Sequence, residues 1–391
     1  MKTQKHFLYL MAVVCALTSC MDRDNMLTVI RPDGSCYKEF SSSVGSDFML
    51  GKNLSEQKYF PMVVDSTWSI TWKLEDSTQT STVFPLSQRT MDSIMALMPL
   101  ERNQKTNKME KKSPVFDILL RRPFKSVEDM GKTFRLKPTH EWSKMKVIYH
   151  LEKKFRWFYT YYQYKETYPK VKTNFKTPVD SFMTNEEATY WFTGKPNIYK
   201  GMNGIEIREA IGSLEDKYNR WLAKNLWDNE FEVLLANYDQ MKNPPVSLDS
   251  LAKSKDNIFN SKVRDNKDYD MEKLLNDFFK TKAFSIYWKT KDSPLKKHEK
   301  DFENQEFVSL FTKEFNYNLC MPGRSKPIEN VIMNGDTLNF KLTAYRMVYD
   351  NYVIEAESRR ANVWAFVVSG LILVLTVGSF WYKPKGKSRG F

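Results

Sequence analysis

The pattern of apolar and polar positions reads mostly as strand over residues 26–165, recurs at three- and four-residue steps from about Asn185 to Leu319, and reads as strand again over residues 321–360. Alternation marks strands with one covered face, and the longer step marks amphipathic helices. Leu27-Thr28-Val29-Ile30, a turn at Asp33-Gly34 and Cys36–Phe40 predict a hairpin. Trp68-Ser69-Ile70-Thr71-Trp72 predicts a further strand, Met91–Met98 a short helix stopped by Pro99, and the charged stretch Glu101–Lys112 a loose loop. In Glu206–Met241, Ile207, Ile211, Leu214, Tyr218, Trp221, Leu222 and Leu226 predict a long helix. Asn243-Pro244-Pro245 stops it, and Ser247 can cap the next. Asp270–Lys289 and Phe302–Phe315 predict two more helices. After Met321-Pro322-Gly323, Val331-Ile332-Met333, the turn Asn334-Gly335-Asp336 and Thr337–Tyr345 predict a second hairpin, and Tyr352-Val353-Ile354 a last strand.

The densest apolar feature is Lys146–Tyr168, read as a strand containing Phe155-Arg156-Trp157-Phe158-Tyr159-Thr160-Tyr161-Tyr162-Gln163-Tyr164. At strand spacing Phe155, Trp157, Tyr159 and Tyr161 share one face, and Phe158, Tyr162 and Tyr164 the other. Aromatics on both faces predict a central strand covered on both sides. The alternative is a ligand platform in which Trp157, Tyr159, Tyr161, Tyr162 and Tyr164 stack on sugar rings or lipid.

Apolar runs bracket this body. Lys2 and Lys5 precede a stretch from Phe7 to Leu17, the layout of a secretory signal over residues 1–19. Leu17-Thr18-Ser19-Cys20 resembles the lipobox of bacterial lipoproteins, which implies that Cys20 is acylated and becomes the first mature residue. At the other end Val363–Tyr382 is uncharged and long enough to cross a ~30 Å hydrocarbon core. Trp364 and Trp381-Tyr382 stand at its edges, as in an aromatic belt. Lys383, Lys385, Lys387 and Arg389 follow without an acid, which predicts a cytoplasmic tail. The expectation is an inner-membrane protein, its body in the periplasm and held by a membrane at both ends.

The pattern predicts an α+β protein: a β-sandwich-like domain from N- and C-terminal strand blocks, a helical insertion and one transmembrane helix. The boundaries are residues 1–19 for the signal, 20–180 for a β-rich region, 181–320 for the helical insertion, 321–360 for strands completing the sheet, 361–382 for the membrane helix and 383–391 for the basic tail. Joining both strand blocks in one sheet avoids exposed edges.

Formal net charge is +13; the signal lysines carry 2 of these charges and the tail 4, which leaves 7 on residues 20–382. A mildly basic exported domain suits anionic headgroups or an envelope protein partner, and nucleic acid is not an expected partner. Of the four cysteines, Cys36 and Cys320 remain after the signal and lipid anchor are set aside, and they are a candidate disulfide in an oxidising compartment. His140, His150 and His298 are scattered, so no metal or other cofactor is expected. No nucleophile elbow, zinc-protease helix or phosphate loop is present, and Ser143–Lys146 and Ser250–Lys253 fit Ser-x-x-Lys without the companion motifs of penicillin-recognising enzymes. Glu186-Glu187 and Glu206/Glu209 sit where helix starts place carboxylates. No catalytic set is expected.

Asp65-Ser66-Thr67, Asp76-Ser77-Thr78, Asp92-Ser93-Ile94, Asp249-Ser250-Leu251 and Asp336-Thr337-Leu338 resemble the O-glycosylation acceptor triplet of exported proteins in some Gram-negative bacteria; the same residues also make turns and caps. Met321-Pro322-Gly323, Asn334-Gly335-Asp336-Thr337-Leu338-Asn339-Phe340, a strand and a terminal membrane helix resemble LppM-like membrane-anchored lipoproteins over about sixty residues. That resemblance departs at the helical insert and at Phe340, where Trp is expected, and it implies lipid or glycolipid contact. The expected function is a structural or interaction component of an envelope complex, with the helical insertion as partner surface and Gly370 and Gly378 offering close approach in the membrane. The alternative is a lipid- or glycan-binding module.

Overall fold

The computed structural model describes residues 22–52, 60, 62, 64–75, 77–102, 108–134, 146–171, 175–241, 243–264, 269–285, 297, 313–329 and 331–381. The signal segment, Cys20, Asp76 and the tail 383–391 lie outside the described residues.

The fold is α+β with mixed sheets. A seven-stranded sheet runs in the order β11 (Ile332–Asn334), β12 (Thr337–Thr343), β9 (Lys313–Cys320), β1 (Asp22–Ile30), β2 (Cys36–Val44), β6 (Phe116–Phe124), β3 (Ser69–Leu74). A four-stranded sheet runs β10 (Arg324–Ser325), β13 (Tyr352–Ala361), β8 (Tyr159–Tyr168), β7 (Ile148–Phe155). Each sheet therefore takes strands from both ends of the body. In the four-stranded sheet the join is the antiparallel pair β8 and β13; in the seven-stranded sheet it is made by β1 and β9, which pair in parallel from Asp22↔Lys313 to Val29↔Cys320. A parallel neighbour needs a long crossover, and the helical region lies in that crossover. The inner faces follow from alternation. In β9, Phe315, Tyr317 and Leu319 are buried with asparagines between them. In β8, every second residue from Thr160 to Tyr168 is buried. Met26, Phe40, Leu120 and Tyr317 of one sheet meet Tyr149, Tyr162, Tyr164, Ile354 and Ala356 of the other in one apolar cluster.

Both predicted hairpins form. Gly34 and Gly335 hold φ of 96° and 63° at their turns, conformations that a side chain resists. Short helices α1 (Gln88–Leu97, capped by Ser87) and α2 (Val127–Thr133, capped by Ser126) interrupt the strand-rich first half.

The helical region has two cores. Helix α3 (Asn185–Thr193) starts at a Thr184/Glu187 capping box, and α4 (Gly204–Ala236) at an Asn203/Glu206 box. At 33 residues α4 is about 50 Å long. Its first half packs with α3 against Tyr345, Val348 and Tyr349 of the β12–β13 connection. Its second half packs with α5 (Leu248–Ile258, capped by Ser247) and α6 (Met271–Phe279) in a cluster drawn from this region alone. Between the cores, Asn225 accepts from the Thr177 amide at 2.9 Å, and Asp228 meets Lys224 at 2.6 Å and Lys255 at 2.8 Å. Finally β13 leads through Asn362 into α7 (Val363–Trp381).

Four sequence expectations change. Lys146–Tyr168 is a hairpin, not one strand: residues 156–158 turn, and the Arg156 amide donates to the Tyr159 carbonyl at 2.8 Å. Glu101–Lys112 contributes to a small hairpin, β4 (Leu100–Arg102) with β5 (Met109–Lys111). The helix predicted over Asp270–Lys289 stops at Phe279, where Lys280 turns left-handed at φ 53°. Of Phe302–Phe315, residues 302–312 lie outside the described residues and 313–315 belong to β9. The insertion boundary at residue 320 accordingly moves back, because Lys313–Cys320 is a central strand.

Candidate functional site

Two constellations stand out, and only one reaches the surface. The first is the junction between β13, the β7–β8 turn and α7. Asn362 ends the strand and binds the turn from several sides. Its amide N–H donates to the Phe158 carbonyl at 2.9 Å, and its side-chain Nδ2 donates to the Arg156 and Trp157 carbonyls at 2.7 and 3.1 Å. Its Oδ1 accepts from the Thr160 hydroxyl at 2.9 Å. Rings then close over the start of the helix. Phe155 stacks on Trp364 with centroids 6.3 Å apart, and Trp157 meets Trp364 edge-on at 5.1 Å. Phe158 meets Phe366 at 4.8 Å, and Tyr159 meets it at 5.9 Å. The Trp157 indole N–H donates to Ser369 Oγ at 2.8 Å. Strand, turn and helix are thus one fixture, and the helix leaves the body in a defined direction.

The second is an ion pair enclosed between the sheets. Lys38 on β2 and Glu166 on β8 lie 3.5 Å apart with no exposed side-chain surface. Glu166 accepts from the hydroxyls of Tyr168 and Tyr317 at 2.6 Å each and from that of Tyr164 at 3.0 Å. Lys38 donates to Thr28 at 3.0 Å and lies over the rings of Tyr149 and Tyr317 at 5.1 and 5.2 Å. Burial, and then the charge of Glu166, push the phenols of Tyr164, Tyr168 and Tyr317 well above the ordinary tyrosine range. They stay protonated and can only donate to the carboxylate. Because both charges are fully enclosed, the cluster ties one sheet to the other and presents nothing to a substrate.

The aromatics singled out as ligand-facing divide between these places. Tyr162 and Tyr164 are core side chains, 2% and 1% exposed. Tyr159 and Tyr161 lie half-buried on the outer face of β8, and Trp157 is 45% exposed at the turn. No single face brings the five together.

Cys36 and Cys320 are free thiols. Their pairing fails on geometry: Cys36 is opposite Ile30 and Cys320 is beside Val29, so they flank β1 on opposite faces. Two strand spacings, about 9–10 Å, exceed the Cα separation a disulfide spans. Burial pushes the Cys36 thiol up to about 12. The carboxylate pairs at 186–187 and 206–209 include the two capping-box glutamates, Glu187 and Glu206. The Asp-hydroxyl triplets also do local work: Asp65 accepts from the Thr67 amide at 2.9 Å, and Asp249 and Ser250 form the first turn of α5. Among the described residues no group of three or more His, Cys, Asp or Glu is placed to hold a metal ion.

Sequence reading passed over Lys38, Glu166 and Asn362. The signal for the first two was present: Lys38 shares the inward parity of Cys36 and Phe40, and Glu166 that of Tyr162, Tyr164 and Tyr168. A charge of each sign on inward parity points to a buried pair. No protein-family model, curated protein or solved structure matches the chain.

Proposed function

We propose that the chain is a membrane-anchored interaction component of a bacterial cell envelope. In this reading α7 crosses the inner membrane, the body lies in the periplasm, and Cys20 carries lipid. The observation that carries it is α7 itself: 19 residues without a charge, with Leu373, Val374 and Leu375 each at least 65% exposed. So much uncovered apolar surface on all sides calls for a hydrocarbon surrounding. At about 28 Å the helix is long enough to cross. The two sheets, sharing one core, serve as a sandwich-like base next to the bilayer. The helical region supplies the partner surface, since its second core owes nothing to the sheets. Met202, Ile205 and Ile211 are exposed at the start of α4, with Ile205 72% exposed.

Crosslinking in native membranes, with a tag after Phe391 and mass spectrometry of captured proteins and lipids, tests this. A stoichiometric protein partner that is lost in Ile205→Glu/Ile211→Glu supports the proposal. Capture of lipid or glycan alone rejects it in favour of a lipid- or glycan-binding module.

A further inference from the structure

The β7–β8 turn packs on the first turns of α7, and a row of cations lies just behind it. Ser369, which accepts from Trp157, is six residues beyond Val363, about 9 Å along the axis. A helix of 19 residues needs nearly all its length to span ~30 Å, so the turn cannot stand clear of the bilayer. Its own chemistry suits immersion. Phe155, Trp157 and Phe158 remain 60%, 45% and 41% exposed even after packing on Trp364 and Phe366. The carbonyls of Arg156, Trp157 and Phe158 are all held by Asn362, and the Arg156 N–H by Tyr159. Pairing these four backbone groups inside the protein lowers the cost of placing the turn among acyl chains. Arg156 has a stem long enough to keep its guanidinium among headgroups.

Just behind the tip, strand register aligns Lys154, Tyr161, Arg359 and Arg324 in one row across β7, β8, β13 and β10. All three cations are exposed, on the face turned away from the core; the Lys154 ammonium also meets Glu152 at 2.9 Å. Arg359 lies over the Tyr159 ring at 5.2 Å, and Arg360 follows it in the chain. The next row back is Glu152, Gln163 and Glu357, with Lys326 ion-paired to Glu357, so unpaired positive charge is greater on the side of α7.

We propose that the β7–β8 turn is a second membrane contact, inserting Phe155, Trp157 and Phe158 beside α7 in the outer leaflet while Arg324 and Arg359 bind phosphates of anionic lipid headgroups. This rests on α7 being a membrane span. Aromatic rings favour that depth, and guanidinium groups favour phosphate.

The test uses the full chain in vesicles of phosphatidylcholine with one quarter phosphatidylglycerol, carrying a benzophenone amino acid in place of Phe158, Val374 or Ile332. Lipid adducts at Phe158 and Val374 but not at Ile332 are expected. Adducts at Val374 without any at Phe158 would overturn the inserted turn and leave the span standing. No adduct at either would remove both. With the probe at Phe158, Arg324→Gln/Arg359→Gln is expected to lower the phosphatidylglycerol share of the adduct at least twofold, and an unchanged share would overturn the headgroup assignment.

Discussion

Glu166 and Lys38 are each buried, but their surroundings are unequal. The carboxylate takes three phenol hydroxyls as well as the ammonium, whereas the ammonium has a threonine hydroxyl and ring faces besides. Glu166→Leu would leave Lys38 without its counter-charge and three tyrosines without their acceptor. It should lower stability by about 3–5 kcal/mol. Lys38→Met keeps the phenol donors on the carboxylate and should cost distinctly less. Denaturant unfolding of the two variants measures the asymmetry, and equal losses would contradict it. The cysteines give a second check. With its thiol raised to about 12 by burial, Cys36 should resist a maleimide at neutral pH until the protein unfolds. Half-buried Cys320 should react first in the folded state, and reducing agent should leave electrophoretic mobility unchanged, because no disulfide joins the pair.

At the scale of elements, α4 depends on the polar joint between its two cores. Burial raises the pKa of Asp228, but hydrogen bonds from Lys224 and Lys255 outweigh it and hold the carboxyl below the ordinary range. A carboxylate lowered in the folded state adds stability above its unfolded value, about 4, and that stability is lost as pH falls through the folded value. Helical circular dichroism should therefore decline below about pH 4, and Asp228→Asn should lower stability at neutral pH while flattening this acid limb. Elements were legible where the local pattern was unmixed: both Gly-turn hairpins, the long α4 and the Ser247 cap all follow from residue spacing. Two failures have different causes. Glu314-Phe315-Asn316-Tyr317-Asn318-Leu319 alternates cleanly, but the three- and four-residue apolar steps in the sequence before it also take in Phe315 and read as helix. Seven of the ten residues from Phe155 to Tyr164 are aromatic and none is Gly, Pro, Asn or Asp, so nothing in its composition marks the turn at residues 156–158. That turn is set by Asn362, more than two hundred residues away. Contacts of such separation leave no periodicity to read.

For the whole molecule, the proposed function turns on the relation between the body and a bilayer. Two sheets share one core, a helical region is docked on the β12–β13 connection, and α7 is bound to the body through Asn362 and Trp157. A fixture of that kind would hold the helical partner surface at a fixed attitude to the membrane, which a flexible tether would not do. The α+β class and the apolar helix were readable from pattern alone. The aromatic turn as part of the fixture that holds α7 was not, because the aromatics of Phe155–Tyr164 read as a central core strand. Sidedness is the most direct measurement. In a Cys320→Ser background, Ile332→Cys in the body and Ser388→Cys in the tail are exposed to a membrane-impermeant thiol reagent in intact cells with a permeabilised outer envelope. A periplasmic body predicts that Ile332→Cys reacts at once and Ser388→Cys only after detergent. Equal reaction of both before detergent, or the reverse order, would contradict a body anchored outside the membrane by α7.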